Sequence, residues 1–330
     1  MKEIVDPMNT IAQSSRVRLA RNYADVPFPT RMTPQDSEAI IERTCNALQG
    51  ETYTLRKMAD LSRNSRNVMV EEHLISPELA SQESGAVLLN PERTVSIMIG
   101  EEDHLRVQAM LPGLQLGNAM QLADHADRVL EKTESFAFDR DWGYLTACPT
   151  NAGTGMRASV MLHLAGLAML SKTGQVIHAV SQLGLTVRGL YGEGSEASGD
   201  LYQLSNQITL GRTEEEILNL LSDTAEQVIG RERAAREMLM QQGRTQLEDK
   251  LMRSWGVFTQ ARLMTTKEFM MRLSNARLAA DLGFVDVRPS VLNQLMREVQ
   301  PATLERNAGR PLSQEERDEL RAEMIRRTLT

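Results

Sequence analysis

The pattern of apolar and polar positions predicts strands in the first two thirds of the chain. Two short apolar runs, Ala86–Leu89 and Val95–Ile99, flank residues 90–93, whose Asn-Pro pair is typical of a hairpin turn. Segments 185–191 and 201–210 also have the composition of strands, and the residues between them are small and acidic. We therefore expect a sheet in this part of the chain, with a loop between its last two strands.

Helix signals are clear at two N-termini. Thr33 has the properties of an N-cap, because Pro34 follows it at the first helical position and Asp36 lies three residues on. Thr213 and Glu216 form a capping-box pair, and the residues after them keep helical spacing to 242. The pattern predicts further helices over 116–132, 266–282, 290–299 and 313–328. The last third of the chain is therefore expected to be entirely helical.

The stretch after Gly143 predicts a turn that binds an anion. Residues 144–147 have the composition of a strand, residues 148–157 form a glycine-containing loop, and we interpret the apolar stretch 158–170 as a helix. Backbone N–H groups at the start of such a helix would attract an anion. The glycine spacing matches neither of the two common nucleotide-binding motifs, so this signal alone indicates a phosphate only weakly.

Composition excludes several classes of protein. The 330 residues are 41% hydrophobic and 25% charged, which is close to the average of globular domains and unlike disordered chains. A net charge of −7 gives no electrostatic footprint for nucleic acid. Cys45 and Cys148 form no Cys-x-x-Cys motif, so neither a disulfide framework nor a cysteine zinc site is expected.

Targeting signals are not visible in the sequence either. The apolar stretch 158–170 is shorter than the roughly 20 residues that a membrane-spanning helix needs. The first ten residues lack the apolar core of a signal peptide. We therefore expect a cytoplasmic protein that binds neither nucleic acid directly nor a membrane.

Four segments carry the candidate chemistry. In chain order they are residues 14–21 (Ser-Ser-Arg-Val-Arg-Leu-Ala-Arg), 101–106 (Glu-Glu-Asp-His-Leu-Arg), 148–157 and 188–193 (Arg-Gly-Leu-Tyr-Gly-Glu). Together and in this order they resemble the catalytic domain of the phosphagen kinases, and in detail the bacterial protein-arginine kinases. The resemblance implies an α+β phosphagen kinase-like catalytic domain over 1–240, with an antiparallel sheet flanked by helices. It also implies ATP and Mg²⁺ as cofactors, and an all-helical C-terminal domain over 241–330.

The arginines of these segments suit a polyphosphate. Their planar guanidinium groups pair bidentately with phosphate oxygens and keep their charge at neutral pH. The resemblance assigns nucleotide-phosphate contacts to Arg16, Arg18, Arg106, Arg157 and Arg188, and it places His73 in the same pocket. It assigns these adjoining positions to the nucleotide site as well: Ser14, Ser15, Val17, Ala158, Ser159, Val160, Met161, Gly189, Leu190, Tyr191, Gly192 and Glu193. Magnesium bridges phosphates with few protein ligands, so no dedicated metal motif is expected.

Acidic residues in two of the segments suit a guanidinium acceptor. A guanidinium has a pKa above about 12 and becomes a nucleophile only as it loses a proton. The resemblance identifies Glu102 as the base, Glu101 as an assisting carboxylate and Glu193 as a second clamp, and Glu193 favours arginine over creatine as the acceptor. Cys148 matches a cysteine that lies near the acceptor in the family, where a thiolate would stabilise the guanidinium charge. An inert buried thiol is the alternative for this residue.

The C-terminal third and the position of the first segment bear on the substrate. Phosphagen kinases for free guanidines carry a helical domain before the Ser-Ser-Arg segment, which begins here at residue 14, so the resemblance implies an acceptor site open to a polypeptide. Arg317 and Arg321 lie one helical turn apart and could fork onto an anion, although a solvated charged helix is the alternative. With Asp318 and Ala322 they resemble the phosphoarginine-binding motif of the protein-arginine kinases, which implies an allosteric site. In that family the same region forms a homodimer contact.

The sequence therefore predicts an ATP-dependent kinase that phosphorylates arginine side chains in proteins. By resemblance, its partners are protein substrates with exposed arginine, a heat-shock repressor, an AAA+ protease unfoldase and a zinc-finger activator protein. Phosphorylation would mark proteins for degradation and regulate the stress response. Two alternatives remain open: a kinase for free arginine or another small guanidino compound, and a catalytically silent phosphoarginine-binding adaptor. The presence of Glu102, Glu193 and the arginine set argues against the adaptor.

Overall fold

An eight-stranded antiparallel sheet forms the centre of the protein. The computed structural model describes residues 11–189 and 198–330. Within these ranges the strands are β1 (Ala12–Arg21), β2 (Thr54–Lys57), β3 (Ala86–Leu89), β4 (Val95–Ile99), β5 (Leu105–Pro112), β6 (Phe138–Asp139), β7 (Gly143–Tyr144), β8 (Met156–His163), β9 (Leu185–Gly189) and β10 (Leu201–Asn206). Strands β6 and β7 form a separate hairpin, and the other eight belong to the sheet.

The order of the strands puts the first of them in the middle. The sheet reads β2-β3-β4-β5-β1-β8-β10-β9, and each neighbouring pair is antiparallel. Because side chains alternate between the two faces of a strand, Val17 and Leu19 of β1 point into the main core while Arg16 and Arg18 point to the other side. The sheet therefore has one apolar face and one face that carries charge.

Eleven helices lie within the described residues. They are α1 (Pro34–Ala47), α2 (Arg63–Glu71), α3 (Pro77–Ser81), α4 (Leu116–Glu131), α5 (Ala165–Met169), α6 (Thr173–Ser181), α7 (Glu214–Gln260), α8 (Thr266–Asp281), α9 (Pro289–Glu298), α10 (Pro301–Ala308) and α11 (Gln314–Leu329). Helices α1, α4, α6 and the first half of α7 cover the apolar face, where Ala119 and Ala123 of α4 are fully buried. These small side chains let α4 lie close to β1 and β5.

Most local predictions are confirmed. The hairpin around residues 90–93 forms, with Ala86 of β3 opposite Ile99 of β4. Thr33 and Thr213 each close a full capping box at the start of α1 and α7. The predicted α+β class, with an antiparallel sheet, flanking helices and a helical C-terminal region, is also confirmed. The sequence pattern does not predict α10, which is a short helix between Pro301 and the left-handed Gly309.

The prediction of a helix over 158–170 is wrong. Residues Met156–His163 form β8 between β1 and β10, and only the short helix α5 follows. A central strand is covered on both faces, so it gives a continuous apolar run that periodicity cannot distinguish from a buried helix. The anion site that we expected at the N-terminus of this helix therefore does not form. The strand predicted over 201–210 ends at Asn206.

The C-terminal helices form a second core that also contacts the sheet. Phe258, Phe269 and Leu292 belong to a cluster that includes Leu201 of β10 and packs against Met161 of β8. Helix α7 runs from the first core into the second and is interrupted at Gly243, whose backbone is extended. The domain boundary near residue 240 stays a prediction. No helix of the described residues is both long and apolar enough to cross a membrane.

Two groups of helices flank the charged face of the sheet. On one side, α2 and α3 pack on β3 and β4 through a cluster that contains Met58 and Met98. On the other side lie the C-terminal helices. The two groups meet where Glu71 accepts hydrogen bonds from the backbone N–H groups of Ala302 and Thr303, at 2.7 and 2.9 Å. The charged face is thus the floor between them.

Candidate active site

The arginines predicted to bind phosphate lie on one face of the sheet. Arg16 and Arg18 are two residues apart on β1, so their side chains point to the same side. The register places Arg18 opposite Arg157 of β8. Arg106 of β5 is paired with Ala20, which alternates with Arg18 and shares its face. Three adjacent strands therefore bring these four arginines together.

Strands β9 and β10 extend this charged face. Arg188 of β9 is paired with Gln203 of β10. Arg16 Nη2 donates a hydrogen bond to Gln203 Oε1 at 3.2 Å, which links β1 to β10 across β8. Gln203 was not predicted as a site residue, because nothing in its strand-like segment marks it as more than a surface position.

The guanidinium groups in this cluster repel one another. Burial, followed by the charges of Arg157 and Arg106, lowers the pKa of Arg16 to about 10. Burial and the charge of Arg16 hold the pKa of Arg18 well below its ordinary value. Burial, followed by Arg188 and Arg106, also lowers the pKa of Arg157. Like charges that are held together in a partly buried site are compensated best by an anion with several charges.

Two buried donors in the cluster lack partners in the described part of the chain. They are Nε of Arg18 and Nε of Arg157. A buried donor without an acceptor costs about 1–3 kcal/mol, and more when it is charged. Phosphate oxygens would accept hydrogen bonds from both groups. The residues present therefore fit the phosphates of a nucleoside triphosphate.

The turn after β4 carries two carboxylates with different surroundings. Arg106 Nη1 lies 2.8 Å from Glu101 Oε1 and 2.7 Å from Glu101 Oε2, and its Nη2 lies 3.2 Å from Glu102 Oε2. Glu101 is buried, and its Oε1 accepts a hydrogen bond from Ser76 Oγ at 2.6 Å. The side chain of Glu102 is 44% exposed. Glu101 therefore holds Arg106 in place, whereas Glu102 is accessible to a substrate.

Asp103 fixes this turn against the segment that contains Cys148. Its Oδ1 accepts hydrogen bonds from Asn22 Nδ2 and from the backbone N–H of Ala147, both at 2.7 Å. Asn22 directly follows β1, so one carboxylate joins three parts of the site. The sequence did not single out Asp103, because its partners are distant in the chain.

Cys148 lies within the same site. The thiol is half-buried, and Sγ lies 3.0 Å from Thr150 Oγ1. Electrostatic interaction with Cys148 and Glu102 raises the pKa of Arg157 and partly offsets the effect of its arginine neighbours. Arg157 is therefore within electrostatic range of both the thiol and the carboxylate. That Cys148 is a thiolate stays a prediction.

His73 lies at the border of the charged face. Its carbonyl oxygen accepts a hydrogen bond from Gln108 Nε2 of β5 at 2.7 Å, and its φ of 58° is positive. Desolvation, followed by the positive charges of Arg16 and Arg297, lowers the pKa of the imidazole to about 4, although the residue as a whole is exposed. His73 is therefore neutral at pH 7. Arg297 of α9 was not predicted, because no sequence motif connects it with this site.

Some predicted nucleotide residues point away from the arginines. Ser15 and Val17 are buried on the opposite face of β1, and Ala158 and Val160 are buried on the same face of β8. Ser15 Oγ donates a hydrogen bond to the carbonyl of Gly113 at 2.9 Å, which is a structural contact. Only the backbone of these four residues could serve a nucleotide, and their assignment stays a prediction.

Other predicted residues lie on the charged side or outside the described ranges. Ser14, Ser159 and Met161 alternate with the buried positions and share the arginine face, and Gly189 ends β9. The remaining four predicted residues lie outside the residues that the structure describes: Leu190, Tyr191, Gly192 and Glu193. Their roles in nucleotide and acceptor binding stay predictions.

The motif around Arg317 and Arg321 is mostly internal. Arg321 is 1% exposed, and its guanidinium donates to the carbonyl of Val299 at 3.0 Å and to both Met264 O and Asp318 Oδ1 at 2.6 Å. Arg321 therefore ties three segments of the helical region together. Its neighbour Ala322 is buried in the second core.

Arg317 differs from Arg321 in its surroundings. Its side chain is 28% exposed and Nη1 lies 2.9 Å from Glu305 Oε1. The two arginines thus differ in exposure: Arg317 is partly exposed, whereas the guanidinium of Arg321 is buried among its own partners. Phosphoarginine binding by this motif stays a prediction.

Two family models match most of the chain. The family model of the ATP:guanido phosphotransferase C-terminal catalytic domain matches residues 35–235, and that of the protein-arginine kinase McsB C-terminal domain matches residues 244–330. A protein-arginine kinase of Caldanaerobacter subterraneus subsp. tengcongensis is 44% identical over 96% of this chain and 96% of its own length. One of Halalkalibacterium halodurans is 46% identical over 98% of this chain and 93% of its own length.

Solved structures show the same fold. Lombricine kinase aligns with a TM-score of 0.62 at 26% identity and covers 68% of this chain and 67% of its own. A duplicated taurocyamine kinase from Schistosoma mansoni aligns with a TM-score of 0.62 at 23% identity, over 81% of this chain and 40% of its own. The chain therefore belongs to the ATP:guanido phosphotransferase family and, within it, to the protein-arginine kinases.

Proposed function

We propose that this protein transfers the γ-phosphoryl group of ATP to the guanidino group of arginine side chains in proteins. The observation that carries the proposal is the junction between the arginine cluster and Glu102. Arg106 bridges Glu101 and Glu102, and Arg157 lies close enough to Glu102 to respond to its charge. A surface suited to phosphates thus directly adjoins an exposed carboxylate. Identity of 44–46% to proteins named protein-arginine kinase supports the same reaction.

In the proposed step an arginine nitrogen attacks the γ-phosphorus. The N–P bond forms, the bond from the γ-phosphorus to the bridging oxygen breaks, and ADP leaves with that electron pair. Glu102 accepts the proton that the attacking guanidinium loses. Arg18, Arg106 and Arg157 hold the phosphate oxygens and compensate the charge that moves onto the leaving group.

We include Mg²⁺ as the metal that accompanies ATP. Among residues 11–189 and 198–330, no group of three or more His, Cys, Asp or Glu side chains is placed to hold a metal ion. Mg²⁺ commonly binds through substrate phosphates and water rather than through a cage of protein ligands, and when bound it neutralises phosphate charge. The arginine cluster supplies cationic groups and no metal ligands. It therefore fits ATP that arrives with Mg²⁺ already bound to its phosphates.

Two acceptors tested side by side distinguish the proposal from its alternatives. The enzyme is incubated with ATP, Mg²⁺ and either an arginine-rich protein or free arginine, and the products are analysed without acid because N–P bonds are acid-labile. We expect phosphate on arginine side chains of the protein and little transfer to free arginine. Transfer to free arginine alone would support a kinase for small guanidines. ATP binding without transfer to either acceptor would support the adaptor.

We extend the proposal to the cellular partners that the resemblance implies. Phosphorylation turns a cationic side chain into an anionic group, and this change would disrupt phosphate contacts and create a new recognition mark. A phosphorylated heat-shock repressor would bind DNA more weakly. Other phosphorylated proteins would be recognised by an AAA+ protease unfoldase. A zinc-finger protein would activate the kinase, which would act as a cytoplasmic homodimer. Sedimentation of the pure protein tests whether it is a dimer. Co-purification from cytosol tests whether these partners bind it.

We also propose an allosteric phosphoarginine site at Arg317 and Asp318. The buried residues Arg321 and Ala322 would hold these two side chains in position. Arg317 supports the proposal, because it is partly exposed and its partner Glu305 could be displaced by a phosphate. Titration of phosphoarginine into the wild type, Arg317→Ala and Asp318→Ala tests it. We expect phosphoarginine to increase the kinase activity of the wild type and to leave the activity of both variants unchanged. Equal binding in all three proteins would contradict the site.

A further inference from the structure

Exposed apolar side chains are concentrated beside the proposed acceptor site. Eight large apolar side chains are exposed among the described residues, and four of them lie on two neighbouring segments: Phe138, Trp142, Ile208 and Leu210. Phe138 and Trp142 are 62% and 57% exposed, in a chain with only 4% aromatic residues. Groups of exposed apolar side chains commonly mark a binding surface.

The hairpin that carries the two aromatic residues is joined to the segment that contains Cys148. Gly143 of β7 bridges to Gly153, and the N–H of Tyr144 donates to the carbonyl of Gly153 at 2.8 Å. A Cβ on Gly143 would lie 2.4 Å from the carbonyl oxygen of Gly153, so the two backbones are in direct contact. The hairpin therefore lies along one side of residues 148–154.

The two aliphatic residues are the chain neighbours of Thr209, which contacts the same segment. Thr209 lies between Ile208 and Leu210, and its Oγ1 is within hydrogen-bond distance of the carbonyl oxygens of Thr150 and Ala152, at 2.9 and 2.7 Å. The four apolar side chains thus belong to two segments that both contact residues 150–153. We call Phe138, Trp142, Ile208 and Leu210 the apolar rim.

The hairpin is held rigidly. Asp139 Oδ1 accepts hydrogen bonds from the backbone N–H groups of Asp141 and Trp142, at 2.8 and 3.1 Å. Phe138 packs edge-on against Tyr144 with 5.3 Å between ring centroids, and the guanidinium carbon of the buried Arg21 lies 3.5 Å from the centre of the Tyr144 ring. Rigid exposed aromatic side chains lose little entropy when a partner binds them.

We propose that the apolar rim docks the polypeptide that carries the acceptor arginine, and that the enzyme therefore prefers arginines with apolar residues nearby. This inference rests on the proposed function. A polypeptide is favoured as the occupant because the segments of the rim are hydrogen-bonded to the loop of Cys148, so the chain on either side of an arginine bound at this loop would lie beside the rim. An arginine-bearing segment is also cationic, and the net charge of this protein is −7.

Two synthetic peptides test the proposal, each with a single arginine. In one the arginine is flanked by Leu and Phe, and in the other by Ser and Gly. We expect wild-type kcat/KM to be about tenfold higher for the apolar peptide, mainly through KM, which is a size typical of an aromatic contact at an interface. Trp142→Ser and Leu210→Ser should each reduce this ratio towards one, and Trp142→Phe should restore most of it.

A matched control removes an apolar side chain elsewhere. Met271 of α8 is 53% exposed, and Met271→Ser should leave the ratio of the two peptides as in the wild type. Equal kcat/KM for both peptides in the wild type, or an unchanged ratio in Trp142→Ser and Leu210→Ser, would overturn the proposal and leave arginine phosphorylation intact. No transfer to either peptide would instead contradict the proposed function. A changed oligomeric state of Trp142→Ser would identify a second copy of the chain as the occupant, and would also overturn it.

Fluorescence provides a readout that does not depend on turnover. Trp142 and Trp255 are the two tryptophans, so Trp255→Phe leaves Trp142 as the only reporter. Without ATP, the apolar peptide should shift the Trp142 emission to shorter wavelength in a saturable manner, whereas the Ser/Gly peptide should not. An emission spectrum that the apolar peptide leaves unchanged would contradict docking at the rim.

Discussion

Glu102 is the residue on which the proposed chemistry depends most directly. Glu102→Gln keeps the size of the side chain and an oxygen for Arg106, but it removes the base. We expect kcat to fall by about 10²-fold or more, which is a typical contribution of general-base catalysis, while KM for ATP stays nearly unchanged. Steady-state kinetics with a protein acceptor measure both. Glu92→Gln, in the exposed turn between β3 and β4, is the control, and wild-type kcat in Glu102→Gln would refute the base.

The proposed role of Arg157 in phosphate binding predicts a cost in stability when no phosphate is bound. Its Nε has no partner in the described residues, and its neighbours Arg188 and Arg106 repel it. We therefore expect Arg157→Ala to weaken ATP binding roughly tenfold or more, through the lost charge-assisted hydrogen bonds. The same change should leave Tm of the ligand-free protein equal or higher. Calorimetric titration and thermal unfolding measure the two effects.

The control for Arg157 is an arginine outside the cluster. Arg128 of α4 has a side chain that is 74% exposed and pairs with Asp124. Arg128→Ala should change neither ATP affinity nor Tm by much, because exposed ion pairs contribute little. Unaltered ATP affinity in Arg157→Ala would mean that the phosphates bind elsewhere.

His73 offers a spectroscopic test of the same pocket. Without nucleotide its pKa is lowered to about 4 by the surrounding protein and by Arg16 and Arg297. A bound triphosphate would offset the positive charge of these arginines, so the imidazole pKa should rise when ATP binds. NMR titration of the histidine signals, assigned with His73→Gln, measures the shift. His178, which is exposed on α6, reports any general effect, and an unchanged His73 pKa would place the nucleotide away from it.

At the scale of elements, the loop 148–154 depends on close backbone contacts. Gly153 has a φ of 105°, and a Cβ there would lie 2.6 Å from the carbonyl oxygen of Thr209. We expect Gly153→Ala to destabilise the protein by about 1–3 kcal/mol and to reduce kcat, because the loop that carries Cys148 has to move. Gly230→Ala in α7 meets open space and should stabilise the fold by about 0.5–1 kcal/mol. Urea unfolding and kinetics of both variants check the contrast.

The elements also show what the sequence could and could not predict. Capping boxes and the hairpin around residues 90–93 depend on neighbours in the chain, so their residues predict them directly. The sequence pattern wrongly predicts a helix at strand β8, because burial on both faces removes the alternation of apolar and polar residues that identifies a strand. The register that puts Arg157 opposite Arg18 is a property of the assembled sheet, which no local pattern contains.

The site shows the same division. The motif segments, by their resemblance to a family, identified the arginines and Glu102. Gln203 and Ser76 contact this machinery and the charge of Arg297 acts on His73, all from segments without a motif, because only folding brings them near. Arg321 shows another limit: the sequence places it one helical turn from Arg317, but it does not show that burial in the helical core commits its guanidinium to Val299, Met264 and Asp318.

At the scale of the whole molecule, a buried polar network joins the sheet to the helical region. His163, at the end of β8, has Nε2 2.9 Å from Ser274 Oγ of α8 and Nδ1 3.5 Å from Arg236 Nη2 of α7. Arg236 also pairs with Glu232 and Asp281, each at 2.7 Å. Ser274 in turn donates to Asp200, which precedes β10. Protonation of His163 would place a second positive charge beside Arg236 in a buried site.

This network predicts how stability depends on pH. Burial, followed by the charges of Arg236 and Arg277, holds the pKa of His163 well below its ordinary value. Below about pH 6.5 the unfolded chain binds a proton at this histidine and the folded protein does not. The contribution of His163 to the free energy of unfolding is therefore fully present above that pH and is lost as the pH falls. Burial raises the pKa of Glu232 and of Asp200, which has the opposite effect in acid. A variant of His163 alone separates the two contributions.

We expect the free energy of unfolding to fall less steeply with decreasing pH in His163→Gln than in the wild type. One proton corresponds to a difference of up to about 1.4 kcal/mol per pH unit below pH 6.5. Urea unfolding, monitored by circular dichroism from about pH 7.5 to about pH 5, measures both slopes. These values lie about one unit or more on either side of the ordinary pKa of histidine. Comparison of slopes cancels any constant cost of placing glutamine in a buried site. The exposed His178→Gln should keep the wild-type slope, and equal slopes in all three proteins would mean that His163 takes up its proton in the folded state as readily as in the unfolded chain.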